Sequence, residues 1–127
     1  MKLSIITVTW NSQEQIREQL RSVQAGCRDV FYEHIIVDNG STDGTVETVQ
    51  KEFPELLILE NPANGFARAN NMGLKKSSGE YLLFLNPDMR VAPGSLDTII
   101  KWMDEHNDVG IASVKLVDEQ GKWNEDA

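Results

Sequence analysis

The sequence predicts an α/β fold in which a mostly parallel, Rossmann-like sheet is flanked by helices. Three observations predict it. Apolar, often β-branched runs recur at residues 3–9, 34–38, 56–60, 81–85 and 109–116; helical spacing separates most of them; and Asn, Asp and Gly gather just after several runs. Strands alternating with helices require right-handed crossovers, which yield parallel strands. In open sheets of this kind ligands bind outside the carboxyl ends of the strands, so the residues there carry the functional question.

Each element has its own justification. The opening run LSIITVT is short, β-branched and interrupted by Ser4, Thr7 and Thr9, which marks a strand and not a signal peptide. Ser12 stands where it can cap a helix whose Ile16, Leu20 and Val23 share one face, and Gly26 ends that helix. The run HIIVD leads into Asn39 and Gly40, which tolerate positive φ. Ser41, Thr42 and Asp43 then open a second helix that carries Val46 and Val49 inward until Pro54 closes it. After the third strand, Asn64 and Gly65 make a turn. Phe66, Ala69 and Gly73 follow at helical spacing as a close-packed face, with Lys75 and Lys76 at the C-terminal end. The run YLLFL at 81–85 has the pattern of a strand buried on both faces. Leu96, Ile99, Ile100 and Met103 form the stripe of a further helix with Trp102 at its margin, and 109–116 reads as a last strand. The organisation is one domain over 1–117, followed at 118–127 by an acidic tail or the start of a truncated hairpin, as if the chain were the N-terminal portion of something longer.

Composition narrows the partners. Twenty Asp and Glu against twelve Lys and Arg give a formal charge of −8. That balance argues against a nucleic-acid or anionic-membrane surface, so an anionic ligand has to be held by local devices such as helix N-termini, a lone Arg or a cation. The single Cys27 permits no internal disulfide and reads as a small buried thiol. No segment approaches the roughly 20 apolar residues of a membrane helix. The expected location is the cytoplasm, with peripheral attachment at the inner face of the membrane left open.

In a parallel sheet the strand ends share one edge, so Thr9, Trp10 and Asn11, then Asp38, Asn39 and Gly40, then Asn86 and Asp88 converge on one crevice. Singly, each is also an ordinary turn or cap residue. The Asp38 carboxylate, at a strand tip, can accept a hydrogen bond from the ring N–H of a pyrimidine, beside the aromatic surface of Trp10. Arg68, Asn70 and Asn71 occupy the first turns of the helix that follows Gly65. Backbone N–H groups and a cation there can meet phosphate, although a solvated face is the plainer reading of Arg68. Asp88 is one carboxylate, enough for Mg²⁺ or Mn²⁺ when substrate phosphates complete the coordination, and Asn86 can bond a ribose hydroxyl.

Taken in order, SIITVTWN, IIVDNGSTDGT and NGFARANNMGLKKSSGEYLLFLNPD resemble the family 2 glycosyltransferases, whose fold is the nucleotide-sugar-binding GT-A type. The match covers nearly the whole chain. It implies a nucleotide diphosphate sugar donor, a divalent metal, a carbohydrate or lipid-linked acceptor, and inverting transfer to an acceptor hydroxyl. The motifs that match place Thr9, Trp10, Asn11, Asp38, Gly65, Arg68, Asn70, Asn71 and Asn86 at the donor and Asp88 at the metal. Asn86 replaces the first Asp of the family's Asp-x-Asp motif, which removes negative charge from the metal site. The Asn-Pro-Asp variant looks like rhamnosyltransferase-like members and suggests dTDP-rhamnose. The family's catalytic base lies beyond residue 127, so the catalytic residue is unknown, and Glu119, Glu125 and Asp126 read as solvated carboxylates. The alternative is a non-catalytic nucleotide-sugar-binding module. A receiver-type signalling domain calls for paired acids where Thr9, Trp10 and Asn11 stand, and a dinucleotide oxidoreductase calls for G-x-G-x-x-G after the first strand, which is absent.

Overall fold

A computed structural model describes residues 1–62 and 65–123. Four strands and four helices alternate: β1 (Leu3–Thr9), α1 (Gln13–Gly26), β2 (Tyr32–Asp38), α2 (Thr45–Glu52), β3 (Leu57–Glu60), α3 (Phe66–Lys76), β4 (Tyr81–Phe84) and α4 (Ser95–Glu105). The strands are all parallel in the order β3-β2-β1-β4. From β1 the chain therefore winds outward to β2 and β3 and later returns to the other side as β4. The gap between the carboxyl ends of β1 and β4 is a topological switch point, the position at which such sheets open a crevice.

Alternation along β1 and β2 sorts the core. Leu3 and Ile5 of β1 and Ile36 of β2 pack against α1, α2 and α4, through Ile16, Leu20, Val23, Val49, Leu96 and Ile100. Ile6, Val8, Ile35 and Val37 point to the opposite face and meet Ala69 of α3. With helices on both faces, every residue of β1 is buried. The contact with α3 is close enough to require a residue without a side chain: a Cβ on Gly73 would lie 2.6 Å from Cγ2 of Ile6. Gly73→Ala is expected to cost about 1–3 kcal/mol through overpacking, read as a lower urea midpoint at unchanged slope.

The structure corrects four expectations. The run at 81–85 is not buried on both faces: β4 is an edge strand, and α3 packs mainly over β1 and β2. Leu82 and Phe84 are consequently 42% and 52% exposed, while Tyr81 and Leu83 face the core. Residues 109–116 form no strand, and Ile111 is 93% exposed. Further along, a single antiparallel bridge joins Val117 to Trp123, closed by the turn in which Asp118 N–H donates to the Lys122 carbonyl at 2.8 Å. The second helix begins at Thr45 and not at Ser41–Asp43, since Gly44 at φ +92° takes the N-cap, and Thr45 with Val49 forms its buried face while Val46 is only half-buried. Phe66 is exposed and does not share the packed face of Ala69 and Gly73. Asn64, Glu125 and Asp126 lie outside the described residues.

Candidate functional site

Register sets the height of each strand end. Thr9 pairs with Asp38 and Asp38 with Glu60, so β1, β2 and β3 finish level. Phe84 pairs with Ile6, and Asn86-Pro87-Asp88 therefore continues upward beside Val8 and Thr9. The Leu85 N–H still bonds the Ile6 carbonyl, and a turn then forms in which Met89 N–H donates to the Asn86 carbonyl at 3.1 Å, with Pro87 at its favoured second position. Gln19, fully buried on α1, fastens this turn to the sheet. Its Nε2 donates to the Asn86 carbonyl at 3.0 Å and to Thr7 Oγ1 at 3.0 Å, and Thr7 in turn meets Nε2 of His34 at 2.8 Å. Burial pushes the His34 imidazole down to about 3, so it is neutral at physiological pH and serves this network as a hydrogen-bonding group, not as an acid or base.

Between the strand tips lies an open crevice of about 350 Å³, lined by Val8, Thr9, Trp10, Asn39, Phe66 and Asp88 with Ser12, Gln15, Asn86 and Pro87. Two aromatic rings, Trp10 at 62% exposure and Phe66 at 59%, are left uncovered at its wall. A large ring held out in water loses the stabilisation of burial, about 1.5–3 kcal/mol for a side chain of this size, unless something stacks on it. Asp88 is exposed, and its carboxylate has no hydrogen-bond or ion-pair partner among the described residues. The Cys27 thiol sits elsewhere, under α4, and is pushed up to about 12 by burial, which makes it inert.

The expected residues divide into those the crevice collects and those it does not. Thr9, Trp10, Asn86 and Asp88 line it. Asp38 does not: it is 3% exposed, and both carboxylate oxygens are occupied by its own loop. Thr9 Oγ1 and Ser41 Oγ donate to Oδ1 at 2.7 and 2.6 Å, and the N–H groups of Ser41 and Gly40 donate to Oδ2 at 2.8 and 3.1 Å. Four donors fill the lone pairs of a carboxylate and leave none for a base N–H. Asn11, at φ +47°, is a clamp between loops. Its N–H donates to Ser41 Oγ at 2.8 Å and its Oδ1 accepts from Thr42 N–H at 2.8 Å. Asp43 completes the clamp by accepting from the N–H groups of Gln13 and Thr45, and its hydrogen bond from the Thr45 hydroxyl holds its pKa below the usual carboxylate value. Gly65 caps α3 at φ +134°. Arg68, Asn70 and Asn71 follow it on the first turns of α3 but do not line the crevice.

Three further residues, Phe66, Asn39 and Gln15, line the crevice without a side-chain role having been assigned to them from the sequence. Spacing assigns Phe66 to the core; the signal against this is its place at the first position of α3, directly after a glycine, where a side chain overhangs the strand ends. Turn chemistry claims Asn39, although it directly follows a strand tip as Asp38 does. Gln15 carries no signal, since an exposed polar residue in a first helical turn is commonplace.

Asp88 with Asn86 suits a hard divalent cation that brings most of its ligands with it. Among the described residues no group of three or more His, Cys, Asp or Glu side chains could hold such an ion unaided. One exposed carboxylate and a neighbouring amide, open to solvent, match a cation whose other positions are filled by water and phosphate oxygens. Among the described residues no helix is long and apolar enough to cross a membrane.

Residues 4–126 match the family model Glycosyl transferase family 2. The chain is 32% identical to poly(ribitol-phosphate) beta-N-acetylglucosaminyltransferase TarS of Staphylococcus aureus, over 95% of this chain and 22% of that protein. It thus spans about a fifth of that relative's length. The crystal structure of S. aureus TarS 1-349 in complex with UDP-GlcNAc superposes with a TM-score of 0.75 at 32% identity, over 84% of this chain and 32% of that one. Mannosyltransferase PcManGT from Pyrobaculum calidifontis, in complex with GDP-Man and Mn²⁺, superposes with a TM-score of 0.66 at 27% identity, over 80% and 32%.

Proposed function

The chain belongs to glycosyl transferase family 2, and from that premise we propose that its crevice holds a nucleoside diphosphate sugar together with Mn²⁺ or Mg²⁺, for transfer of the sugar to an acceptor hydroxyl. The observation that carries this reading is the pairing, in one crevice, of two uncovered aromatic rings with an unpartnered carboxylate. A nucleotide needs both: apolar surface for the base and cationic compensation for the diphosphate.

Each residue then has a part. Trp10 and Phe66 offer faces to the base, and Asn39 addresses its polar edge. Asn86 reaches the ribose, and the backbone turn at 86–89, fastened by Gln19, fixes where Asp88 stands. Asp88 and the amide of Asn86 would hold the cation, which supplies charge stabilisation to the departing nucleoside diphosphate. At a chain charge of −8, a local cation is the simplest way to make this edge receptive to a diphosphate. Arg68, exposed on the first turn of α3, adds a positive charge near the strand ends. Among the described residues Asp88 is the one carboxylate in the crevice lining and is committed to the cation, so no base is assigned among them. The acceptor, carbohydrate or lipid-linked, approaches from the open side in the cytoplasm.

The finer expectation of dTDP-rhamnose rests on the Asn86-Pro87-Asp88 variant alone, and the solved relatives were captured with UDP-GlcNAc and GDP-Man. The test is calorimetric titration of the chain with nucleoside diphosphates of each base, with and without Mn²⁺. Saturable binding that strengthens with Mn²⁺ is expected. Trp10→Ala should weaken it by about 1–3 kcal/mol, the usual value of one base–aromatic stack, with little change in thermal unfolding because the ring is mostly in solvent. Metal-independent binding that ignores Trp10 would point to another site.

A further inference from the structure

On the donor-site reading above, one carboxylate and one amide hold the cation from this side, so its affinity depends on how firmly their turn is kept in place. α1 supplies the support. The segment 85–94 runs along this helix: Gln19 meets the carbonyls of Leu85 and Asn86, Ser22 Oγ accepts from Val91 N–H at 3.2 Å, and the Ala25 carbonyl accepts from Gly94 N–H at 3.0 Å. Asp88 falls between the last ladder bond, Leu85 N–H to the Ile6 carbonyl, and the Ser22 anchor. Over that stretch, among the described residues, the turn is tied to the rest of the molecule by Gln19 and by the bonds of Arg90 to Glu18 and Glu119. The Arg90 bonds are exposed ion pairs, which contribute little. Gln19 is the buried tie.

The chemistry of that tie separates position from stability. Carbonyls only accept, so the NH₂ end of Gln19 must face Asn86, and its second hydrogen goes to Thr7 Oγ1 at 3.0 Å. The amide oxygen is left without a partner among the described residues, in a side chain that is fully buried. A buried acceptor in that state has lost its hydration with nothing in exchange, which offsets what the N–H bonds contribute. A methionine at position 19 fills similar space without that loss. It also orphans little, because the Asn86 carbonyl keeps the Met89 N–H and Thr7 keeps His34. We propose that Gln19 is a positioning residue for the cation: its amide sets where the 86–89 turn holds Asp88, and it acts on metal-dependent binding far more than on the stability of the fold.

The test compares wild type with Gln19→Met by calorimetric titration with UDP, CDP, dTDP, GDP and ADP, each with and without Mn²⁺, and by amide hydrogen exchange of the metal-free chains. Gln19→Met should melt within about 5 °C of wild type. Its affinity for nucleoside diphosphate without metal should stay within about twofold, and its affinity with Mn²⁺ should fall about tenfold, the effect expected on losing a group that orients a ligand. In the metal-free chain the Met89 amide should exchange at least about tenfold faster while amides of β1 and β2 keep their rates; a purely structural role would speed all of them through global opening. Gln19→Met that keeps the full Mn²⁺ gain, loses affinity equally with and without Mn²⁺, or leaves Met89 exchange unchanged overturns the inference and leaves the donor-site reading in place. A variant that no longer melts cooperatively also overturns it, since the amide would then be required by the fold. Wild-type chain that binds none of the five with Mn²⁺ present, its fold intact by circular dichroism, removes the donor-site reading and the inference with it.

Discussion

Replacing Asp88 with alanine is expected to abolish the metal dependence of nucleotide binding while leaving the fold as stable as before. The two halves of this expectation have separate grounds. The side chain is exposed and makes no hydrogen bond or ion pair among the described residues, and substitutions at such surface positions usually change stability by less than about 0.5 kcal/mol. Binding is another matter, because Asp88 is the one charged oxygen ligand the crevice lining offers. Asn86 stands where a second carboxylate would strengthen the site, so in the proposed complex the cation would be held by one charge, an amide and the phosphates it arrives with. Removing that charge should lower affinity for a Mn²⁺–nucleoside diphosphate at least about tenfold, and the ratio of affinities with and without Mn²⁺ should fall toward one. Asp88→Asn should sit between, since an amide oxygen still ligates without charge. Asp88→Ala that retained the full Mn²⁺ effect would place the cation elsewhere and remove the role assigned to the turn at 86–89.

The sequence is most informative where burial is symmetric and least where a side chain has two possible duties. β1 and α1 are readable to the residue because a β-branched run covered on both faces and a stripe at Ile16, Leu20 and Val23 have few other uses. The convergence of three strand ends is also readable, since it follows from parallel topology alone. The state of β4 is not: YLLFL has the same composition whether a helix covers its second face or leaves it open, and coverage depends on where α3 lands. The same limit applies to 109–116, whose apolar pattern does not say whether the segment pairs with a strand edge, and it pairs with none among the described residues. At the site, periodicity puts Phe66 in the core, although its place at the mouth of α3 leaves the ring over the crevice. Asp38 and Asn39 are indistinguishable by type, both polar and both at a strand tip. Only the hydrogen-bond inventory separates the one turned into the loop from the one turned out.

Because Asp38 is the one turned inward, Asp38→Ala is expected to act first on stability and only secondarily on binding. The carboxylate gathers the hydroxyls of Thr9 and Ser41 and the N–H groups of Gly40 and Ser41 in a site 3% exposed. Ser41 Oγ also accepts from Asn11 N–H, and the Ser12 and Gln13 N–H groups reach Thr45 Oγ1 and Asp43, so the loops after β1 and β2 are joined at several points around Asp38. Truncation orphans two backbone donors and two hydroxyls at once. Hydrogen bonds to a charged acceptor contribute about 1.5–3 kcal/mol each, and water entering the vacated space recovers part of the sum. A net cost of at least about 3 kcal/mol follows, a large share of the roughly 5–15 kcal/mol that holds a domain together, with a fall of about 10 °C in melting temperature. Asp38→Asn should be milder. Its oxygen can keep the two N–H donors while Thr9 and Ser41 rotate their hydroxyls to accept from its NH₂, at the cost of the charge. Asn39→Ala, by contrast, should leave most of the stability intact and weaken nucleotide binding, so melting curves and titrations together assign each residue its duty. Asp38→Ala that melts within about 2 °C of wild type yet no longer binds nucleotide would reverse the assignment, returning the base contact to Asp38 and leaving Asn39 to the turn.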